Sequence, residues 1–572
     1  MFDALPSDAV NLSNLTWKEI EPYYADLLKR QIYDDNVGQW LSDWTRLSEL
    51  LEEAFSRLHV ATTVNTADKR AEERYHQFLD EIYPPSEEAE QKLKMKILES
   101  GAEEPGFEIP LLKMRTEAEI FRGENLRLLV EEHKLTNQYD KIVGAQTVKW
   151  DGEERTIAQM RPLYQETDRS LRESAWRLAA GRQMEDRGAI NDLWGEFLGV
   201  RRDLAGNAGF SDYRSFRWKQ MLRFDYAPED CRRFHEAIER CVVPAAGRIC
   251  ERRRTLLGLE TLRPWDMDVD PFCRPPLAPF VTAAELVEKA SVIFHNVDPV
   301  LGGYFDTMSR EGLLDLENRK DKAPGGYCTE FAAAKRPFIF MNAVGVHDDV
   351  QTLLHESGHA FHTFERSSLP YFQQRQVGME FAEVASMAME LLASPYLSDE
   401  RGGLYSKEDA ARAVTQHLEW CILFWPFMAL VDAFQHWVYE NPSDAVNPSK
   451  CDETWARLQD RFTPWIDWRG LEQERITGWH RKLHIHTVPF YYVEYGLAQL
   501  GATQIWHKAL KDRKTAVEAY RKALSLGGTV GLPQLYSAAG ASFSFDEGSL
   551  GTAVSLILDT VETMNGTGKN GQ

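Results

Sequence analysis

The chain has 572 residues, a formal net charge of −22 and an apolar content of 43%, with 16 tryptophans among its aromatic residues. This composition is typical of a folded globular protein with an extensive interior, and it excludes a largely disordered chain. The strong negative charge argues against nucleic acid and against anionic membrane surfaces as main partners. We therefore expect a soluble protein with neither kind of partner.

Three features of the sequence predict a cytoplasmic location. The first 14 residues include Asp3, Pro6 and Asp8, and they lack the basic and apolar regions of a secretory signal. The longest apolar stretch, 421–431, is too short to span a membrane and predicts a buried helix. The seven cysteines form no CxxC pair, which indicates reduced thiols and neither a disulfide framework nor a zinc-binding cluster.

Long amphipathic helices are predicted along most of the chain. Thr16 to Glu19 forms a capping box, and Pro84-Pro85 separates two predicted helices. Residues with helical apolar spacing occupy 40–58, 71–82, 87–98, 117–134, 169–205, 227–256 and 283–296. Since no fixed-period repeat is present, we expect one irregular helical body and not a solenoid. We divide it into an N-terminal helical region, 1–165, a second region, 166–564, and a disordered tail, 565–572.

Residues 301–346 differ from the rest because they are rich in glycine and turns. The best strand candidate is 337–342, and 324–328 predicts a tight turn that enters another strand. A small antiparallel sheet is therefore expected directly before the next helix. Its open edge is suited to pairing with an extended peptide backbone, although a purely structural hairpin explains the pattern equally well.

His355-Glu356-Ser357-Gly358-His359 is the segment that points most clearly to chemistry. Histidines four residues apart share one face of a helix, so both rings can reach one Zn²⁺ at about 2.0–2.1 Å. Glu356 projects beside them and is placed to take a proton from a metal-bound water. The surrounding apolar residues predict a mostly buried helix, capped by Asp348 or Asp349. A surface helix with two unrelated histidines is the alternative.

A catalytic zinc ion needs a third protein ligand. His362 lies seven residues from His355, about 10 Å along a helix, which is too far to share an ion. A better source is the apolar helix 378–390, which Glu380, Glu383 and Glu390 interrupt. Such carboxylates are costly to bury unless they are paired or bound to a metal. Spacing alone leaves all three glutamates open, and a salt bridge is the alternative for each.

The motif at 355–359, followed by Phe381-Ala382-Glu383-Val384-Ala385-Ser386, resembles the thimet oligopeptidase and oligoendopeptidase F family of zinc metallopeptidases. The resemblance is closer to the oligoendopeptidase F branch. It extends to the glycine-bearing turn at 319–328, to the segment 484–495 and to 523–528. The similarity is specific from about residue 301 to 545 and much vaguer before residue 165.

The resemblance implies one zinc ion per chain, held by His355, His359 and Glu383, with Glu356 as the general base. It also implies that His484, Tyr492 and Tyr495 stabilise the oxyanion of peptide hydrolysis. Tyrosines three residues apart share a helix face, which suits donors aimed at one oxygen. We expect His484 to lie on a loop before this helix. His486 is a second candidate for the histidine, and Tyr491 is a candidate for contact with substrate.

The expected fold is mainly α: a two-lobed, zincin-type helical body with a deep central channel and the small sheet beside the metal helix. Residues 166–564 are then the catalytic region. The expected function is zinc-dependent hydrolysis of internal bonds in short unfolded oligopeptides, through a metal-activated water. The alternatives are an α-helical zinc carboxypeptidase and a non-catalytic peptide-binding protein with a structural zinc. The oligomeric state stays open.

Overall fold

Helices predominate in the computed structural model, which describes residues 2–567. Their starts follow local capping chemistry, as in the predicted box where Thr16 N donates to Glu19 Oε2 at 2.8 Å. The first helices are α1 (Ala9–Leu12), α2 (Trp17–Lys29), α3 (Val37–Val64), α4 (Lys69–Glu81), α5 (Tyr83–Ser100), α6 (Glu108–Ile120) and α7 (Asn125–Gly144). An antiparallel hairpin of β1 (Thr147–Trp150) and β2 (Glu153–Thr156) follows them.

The middle of the chain contains further helices and the second sheet. Its elements are α8 (Arg169–Glu185), α9 (Arg187–Asn207), α10 (Tyr213–Gln220), α11 (Pro228–Ala237), α12 (Val243–Leu256), α13 (Ala283–Val297), α14 (Pro299–Arg310), β3 (Leu314–Glu317), β4 (Tyr327–Phe331) and β5 (Arg336–Ala343).

The last part is again helical. Its elements are α15 (His347–Arg366), α16 (Met379–Ala393), α17 (Lys407–Glu440), α18 (Pro442–Ala445), α19 (Pro448–Phe462), α20 (Glu472–Ile476), α21 (Leu483–Thr487), α22 (Tyr492–Ala509), α23 (Arg513–Ser525), α24 (Leu532–Ala538) and α25 (Glu547–Thr567). Since α25 ends at Thr567, it includes the first three residues of the tail predicted to be disordered. The rest of that tail lies outside the described residues.

Three helices predicted as continuous are interrupted. Phe121 adopts an extended conformation between α6 and α7, Asp186 separates α8 from α9, and a π turn at Ile238–Val242 separates α11 from α12. Apolar periodicity does not reveal such short breaks, because the apolar face continues across them. The prediction of one helix in each region was therefore wrong in detail.

The sheet beside α15 has the strand order β3-β5-β4. β4 pairs with β5 in antiparallel fashion, as predicted, but β3 runs parallel to β5. The expectation of a purely antiparallel sheet was thus wrong, since the pattern of residues 301–346 indicated strands without fixing the direction of each. β4 forms one edge of this sheet.

Two large apolar cores divide the described chain into two lobes. The first lobe is built mainly from α1 to α6, and the second from α7 onward. Because Ile120, Leu135 and Tyr139 belong to the second core, the apolar contacts divide the chain earlier than residue 165. The boundary at 165 stays a prediction.

The C-terminal end of α3 is hydrogen-bonded to the turn before β4. Thr63 Oγ1 lies 2.5 Å from the Tyr327 hydroxyl oxygen, Ala323 N donates to Thr63 O at 2.8 Å, and Thr66 N donates to Asp321 O at 2.6 Å. These bonds join the first lobe directly to the sheet. Between the lobes lies a cavity of about 620 Å³, walled by α3, α5 and α6 on one side and by residues 376–380 and 528–535 on the other.

Among the described residues, α17 is the one helix long and apolar enough to cross a membrane by length and composition. Its apolar window is 72% buried in the protein, and the stretch 421–431 lies in the second core. The prediction of a buried helix there is confirmed.

Candidate metal centre and active site

The helix that contains the HExxH motif begins at a well-formed cap. Asp349 Oδ2 accepts hydrogen bonds from the backbone amides of Val344, Gly345 and Val346 at 2.7, 2.8 and 3.0 Å. Of the two predicted caps, Asp349 therefore fixes the start of α15, while Asp348 pairs with Arg161. This start places the motif in the third turn, where the helix is covered on most sides.

Gly358 lets α16 approach α15 closely. A Cβ atom at this position would lie only 2.5 Å from Ala385 O and 2.5 Å from Ser386 Cα, a separation that real Cβ atoms do not adopt. Only glycine fits between the two backbones without movement. The close crossing brings the middle of α16 directly over the two histidines of α15.

Glu383 is the glutamate of α16 that faces both histidines. Its Oε2 lies 3.1 Å from His355 Nε2 and 3.5 Å from His359 Nε2, and Ser386 Oγ donates to the same oxygen at 3.0 Å. The other carboxylate oxygen accepts a 2.5 Å hydrogen bond from the Tyr491 hydroxyl. Glu383 is 1% exposed, so each oxygen depends on these partners.

The other two candidate glutamates occupy different positions. Glu390 Oε1 lies 2.7 Å from His355 Nδ1, and its Oε2 lies 3.3 Å from His417 Nε2. Glu380 instead accepts from the Tyr226 hydroxyl at 2.7 Å and lies 3.5 Å from Arg223. A carboxylate on Nδ1 favours a proton there, which leaves Nε2 of His355 free to bind a metal.

Ligand atoms of His355, His359 and Glu383 all lie within 4.8 Å of one another. Tetrahedral zinc ligands at about 2.0–2.1 Å are separated by roughly 3.3 Å, close to the separations of Glu383 from the two Nε2 atoms. The donor set of two imidazoles and one carboxylate also matches a catalytic zinc site with one open position. These residues therefore fit a zinc ion.

The charges at this point favour a cation. Burial lowers the pKa of His355, but its hydrogen bonds to Glu383 and Glu390 outweigh burial and raise that pKa well above its ordinary value. Burial likewise raises the pKa of Glu383, but His359 and His355 outweigh it and hold that pKa well below the ordinary value. The carboxylates thus stabilise positive charge between the helices, whether on protons or on a metal ion.

Glu356 lies beside the candidate ligands with one carboxylate oxygen unpaired. Its side chain is buried, and Oε2 has no hydrogen-bond partner. Burial raises the pKa of Glu356, and the neighbouring His355 and His359 offset part of that rise. Gly326 is adjacent, since a Cβ atom there would lie 3.5 Å from Glu356 Oε1. Strand β4 therefore approaches the catalytic candidate closely.

The segment from α21 to α22 brings three aromatic candidates to the same place. The Tyr495 hydroxyl lies 3.0 Å from His484 Nε2, and the Tyr495 ring centroid lies 6.5 Å from that of His355. Tyr492 packs against the rings of His484 and Tyr495, at 5.1 and 5.4 Å between centroids. His484 lies in the short helix α21, so the expectation that it lies on a loop was wrong.

Burial and the nearby Lys482 lower the pKa of His484 to about 4, so this ring is neutral near pH 7.

The positive φ of Phe490, +66°, turns the chain sharply from α21 into α22. Arg223 Nη2 donates to Phe490 O, and Phe490 N donates to Gln435 Oε1, both at 2.6 Å. These bonds hold an unfavourable backbone conformation immediately before Tyr491.

The other two candidate histidines, His486 and His362, lie outside the group of candidate ligands and donors. His486 is fully buried among Tyr139, Trp194 and Trp479, so it does not share the position of His484. His362 is buried one turn beyond the motif and packs against Phe381. It is not among the three grouped ligands, in agreement with the argument from helix rise.

Sequence reasoning missed the specific roles of Glu390 and Tyr491. Glu390 was one of three possible ligands, whereas the structure places it against the far nitrogen of His355. Tyr491 was a candidate for substrate contact, whereas it donates to Glu383. The seven-residue spacing from Glu383 to Glu390 puts both residues on one helix face. That spacing was the signal in the sequence that could have predicted the contact of Glu390 with His355.

The chain is similar to known peptidases. The model of the family described as Peptidase family M3 matches residues 163–552. Oligopeptidase PepF of Bacillus subtilis (strain 168) is 24% identical over 238 residues, which cover 40% of this chain and 34% of the relative. An oligoendopeptidase F homolog of Borreliella burgdorferi (strain ATCC 35210 / DSM 4680 / CIP 102532 / B31) is 25% identical over 300 residues, covering 50% and 48%. The chain thus spans between a third and a half of these curated relatives.

Likeness to a solved structure extends over the whole chain. PZ peptidase A, in a structure with an inhibitor, superposes with a TM-score of 0.91 at 26% identity, covering 98% of this chain and 99% of that protein. Both lobes are therefore shared with that protein, including the first lobe, where the sequence resemblance was vague.

Proposed function

Because the chain belongs to peptidase family M3, we propose that it is a zinc-dependent endopeptidase that hydrolyses internal bonds of short unfolded oligopeptides. The observation that carries this proposal is the convergence of His355, His359 and Glu383 on one point, with the unpaired carboxylate of Glu356 beside it. Packing alone does not explain four polar side chains gathered where α15 crosses α16.

In this proposal His355, His359 and Glu383 hold one zinc ion. When bound, zinc polarises a substrate carbonyl and lowers the pKa of a water molecule toward about 7. Glu390 orients His355 through Nδ1, and the Tyr491 hydroxyl orients the Glu383 carboxylate. Hydrogen bonds of this kind hold the ligand side chains in their binding orientation before the ion binds. They therefore favour a single coordination geometry.

Glu356 acts as the general base in this proposal. It takes a proton from the attacking water and then delivers that proton to the leaving amine nitrogen. Its raised pKa suits both transfers, because a base whose pKa lies nearer neutrality also returns the proton readily. Its Oε2 has no hydrogen-bond partner in the protein and is available to receive that proton.

His484, Tyr492 and Tyr495 form the opposite wall. The Tyr495 hydroxyl is the donor best placed for the developing oxyanion, and neutral His484 holds that hydroxyl at 3.0 Å. Tyr492 packs behind both rings and keeps them in position. A donor fixed before reaction stabilises the transition state without a cost in reorganisation.

The location of the site supports a preference for short, unfolded substrates. The candidate ligands are largely covered by the helices around them, and the cavity of about 620 Å³ between the lobes lies beside the start of α16 but is not lined by these ligands. A folded protein cannot bring a peptide bond to ligands covered in this way, whereas an extended peptide can pair with the edge of β4. Short peptides as partners and a cytoplasmic location are part of this proposal.

Substitution of Glu356 by Gln tests the base. We expect the variant to keep its zinc and its fold but to lose about 10²–10⁴-fold in kcat, as is typical for loss of a general base. Zinc content by mass spectrometry and hydrolysis of a fluorogenic peptide measure the two properties. Glu365→Gln is the matched control, because Glu365 lies on the same helix and pairs with Arg521. Parental turnover in Glu356→Gln would remove Glu356 as the base.

A peptide blocked at both ends distinguishes the proposal from the two alternatives. Internal cleavage that a chelator abolishes supports an endopeptidase, whereas a carboxypeptidase requires a free terminal carboxylate. A protein that binds zinc but cleaves no member of a mixed peptide library would be the non-catalytic alternative. Structural zinc sites fill four positions, mostly with cysteine and histidine, and the grouped ligands here include no cysteine.

A further inference from the structure

A second group of potential metal ligands lies away from the HExxH motif, between α11 and α17. Cys231 and His235 are four residues apart on α11, and Asp432 and His436 are four residues apart on α17. Each pair therefore shares one helix face, and the two faces meet. All four side chains are buried, with exposed fractions of 0%, 3%, 0% and 4% in that order.

Three of the four side chains are close enough to share one ion, and the fourth, His235, contacts the carboxylate of Asp432. Ligand atoms of Cys231, Asp432 and His436 lie within 4.8 Å of one another. His235 Nε2 lies 2.8 Å from Asp432 Oδ2, and His436 Nε2 lies 3.4 Å from the same oxygen. The separation of His436 from Asp432 is close to the roughly 3.3 Å expected between tetrahedral zinc ligands that are nitrogen or oxygen atoms.

Two atoms of this cluster are buried without a hydrogen-bond partner. They are Asp432 Oδ1 and His436 Nε2. A carboxylate with no solvent exposure is expensive to bury, and an unsatisfied oxygen raises that cost further. Helix packing alone does not account for a cysteine, an aspartate and two histidines gathered at one point in the second core.

We propose that Cys231, Asp432 and His436 bind a second divalent metal ion of the zinc class, and that His235 orients Asp432 through its hydrogen bond. One thiolate and one carboxylate balance the charge of the ion and the imidazole ligand is neutral, so the loaded site is neutral and can be buried at little cost. The mixed sulfur, nitrogen and oxygen set suits zinc, which accepts all three ligand types in tetrahedral geometry.

The site is structural, because its side chains are buried in the protein interior, where no substrate reaches them. The ion links α11 to α17 at His436, the residue that follows Gln435. Gln435 Oε1 accepts the hydrogen bond from Phe490 N that stabilises the strained backbone at Phe490. Tyr491 follows directly and donates to Glu383. The second ion therefore stabilises the segment that places the tyrosines beside the zinc ion proposed at the HExxH motif.

One contact favours an ion-free network instead. Arg214 Nη1 lies 3.3 Å from His436 Nδ1, and a guanidinium donor there places the ring proton on Nε2, toward Asp432. Metal binding requires the opposite tautomer, with Nδ1 protonated. Arg214 has a second partner in Glu440, so it does not depend on His436. The metal content and cobalt spectra of cysteine variants distinguish a bound ion from this network.

Metal content of a protein without the first site gives the first test. The double variant His355→Ala with His359→Ala removes two of the three motif ligands, and after extensive dialysis we expect it to retain about one equivalent of zinc. Adding Cys231→Ser should reduce that content to near zero, while adding Cys250→Ser, at another buried cysteine, should not. Retention of no zinc by the double variant would overturn the proposal.

Cobalt substitution gives a test that depends on the ligand type. A thiolate bound to Co²⁺ produces a near-ultraviolet charge-transfer band, which the histidine and carboxylate ligands of the HExxH site cannot produce. We expect this band in the full chain and in Cys250→Ser, and its loss in Cys231→Ser. Absence of the band from the full chain, or its persistence in Cys231→Ser, would contradict a metal at Cys231.

If Cys231→Ser does not fold, X-ray absorption at the zinc edge replaces it. The expected signal from the His355→Ala, His359→Ala protein is one sulfur at about 2.3 Å from zinc, together with nitrogen and oxygen neighbours. A zinc environment without sulfur would identify an ion bound elsewhere and would overturn the proposal as well.

Discussion

Gly358 lies where α15 crosses α16, and the absence of its side chain sets the distance between the two helices. The short distance between the helices also positions Glu383, which lies about one turn before Ser386 and faces both histidines. The middle of the HExxH motif therefore serves packing, while its ends serve chemistry.

Substitution of Gly358 by Ala should separate the two helices. A methyl group would meet the backbone at 2.5 Å, so we expect about 1–3 kcal/mol of destabilisation and weaker zinc binding. Urea unfolding and titration with a competing chelator measure these effects. Gly199→Ala in α9 is the control, since nothing lies within 4 Å of its added Cβ, and it should be neutral or stabilising. Equal stability of the two variants would refute this account of Gly358.

Glu390 provides a second prediction for a single residue. Glu390→Gln removes the charge that faces His355 Nδ1 but keeps the side-chain volume, so we expect metal affinity to fall about 10–100-fold. Turnover at saturating zinc should change much less, because Glu390 contacts neither substrate nor the attacking water in the proposed mechanism. Unchanged chelator competition would show that Glu390 does not orient the ligand.

The start of α22 presents two tyrosines, four residues apart, to two different partners. Tyr491 donates to Glu383, whereas Tyr495 approaches His484 on the substrate side. This segment thus contacts a candidate metal ligand and the proposed oxyanion position at once, and Phe490, with its positive φ, precedes it directly.

Removing the two hydroxyl groups separately should give different kinetic results. Tyr495→Phe should lower kcat about 10²–10³-fold, the usual effect of losing an oxyanion donor, with zinc content unchanged. Tyr491→Phe should weaken zinc binding and leave a smaller defect in kcat once zinc is saturating. Zinc titration with kcat and KM measured at each point separates the two. The same pattern in both variants would argue against distinct roles.

The amphipathic helices and the strand at 337–342 were predictable because local periodicity determines them. The breaks at Phe121 and Asp186 were not, since they interrupt the backbone without interrupting the apolar face. The direction of β3 depends on a tertiary pairing with β5, which no local pattern records. Long, strongly periodic elements are therefore predicted better than their boundaries.

The family resemblance, to the oligoendopeptidase F branch, is confirmed. Residue patterns alone predicted a helical body, and the resemblance added its division into two lobes. For the site, spacing identified His355, Glu356 and His359, whereas the choice among Glu380, Glu383 and Glu390 came from resemblance. Spacing could not make that choice because it depends on the crossing of α15 and α16. The roles of the site residues remain predictions until the variants are measured.

The pH dependence of stability reflects histidines that are buried in neutral form across the molecule. Burial lowers the pKa of His480 to about 3, with Arg481 and Arg187 adding to the effect, and Nε2 lies 2.8 Å from Asn191 Oδ1. The unfolded chain protonates this ring near pH 6.5. Since the folded state binds fewer protons between these values, His480 contributes a loss of stability as pH falls from about 6.5 to 3.

His480→Gln removes this titration while keeping a polar side chain of similar reach. The variant should therefore lose less stability than the parent between pH 6.5 and 4, even if it is less stable at pH 7. Urea unfolding across this range, compared between the two proteins, isolates the contribution of His480 from those of other groups. Parallel stability curves would show that His480 is not held neutral by the fold.

The hydrogen bond from Tyr491 to Glu383 joins residues 108 positions apart in the sequence, and this separation has a consequence for biosynthesis. The candidate ligands on α15 and α16 leave the ribosome together, long before α22 is translated. A nascent chain in which α15 and α16 have been translated therefore carries the candidate ligands but lacks the tyrosines and His484. The proposed hydrolytic activity should accordingly appear only after α22 has left the ribosome, which protects the unfolded nascent chain from its own active site.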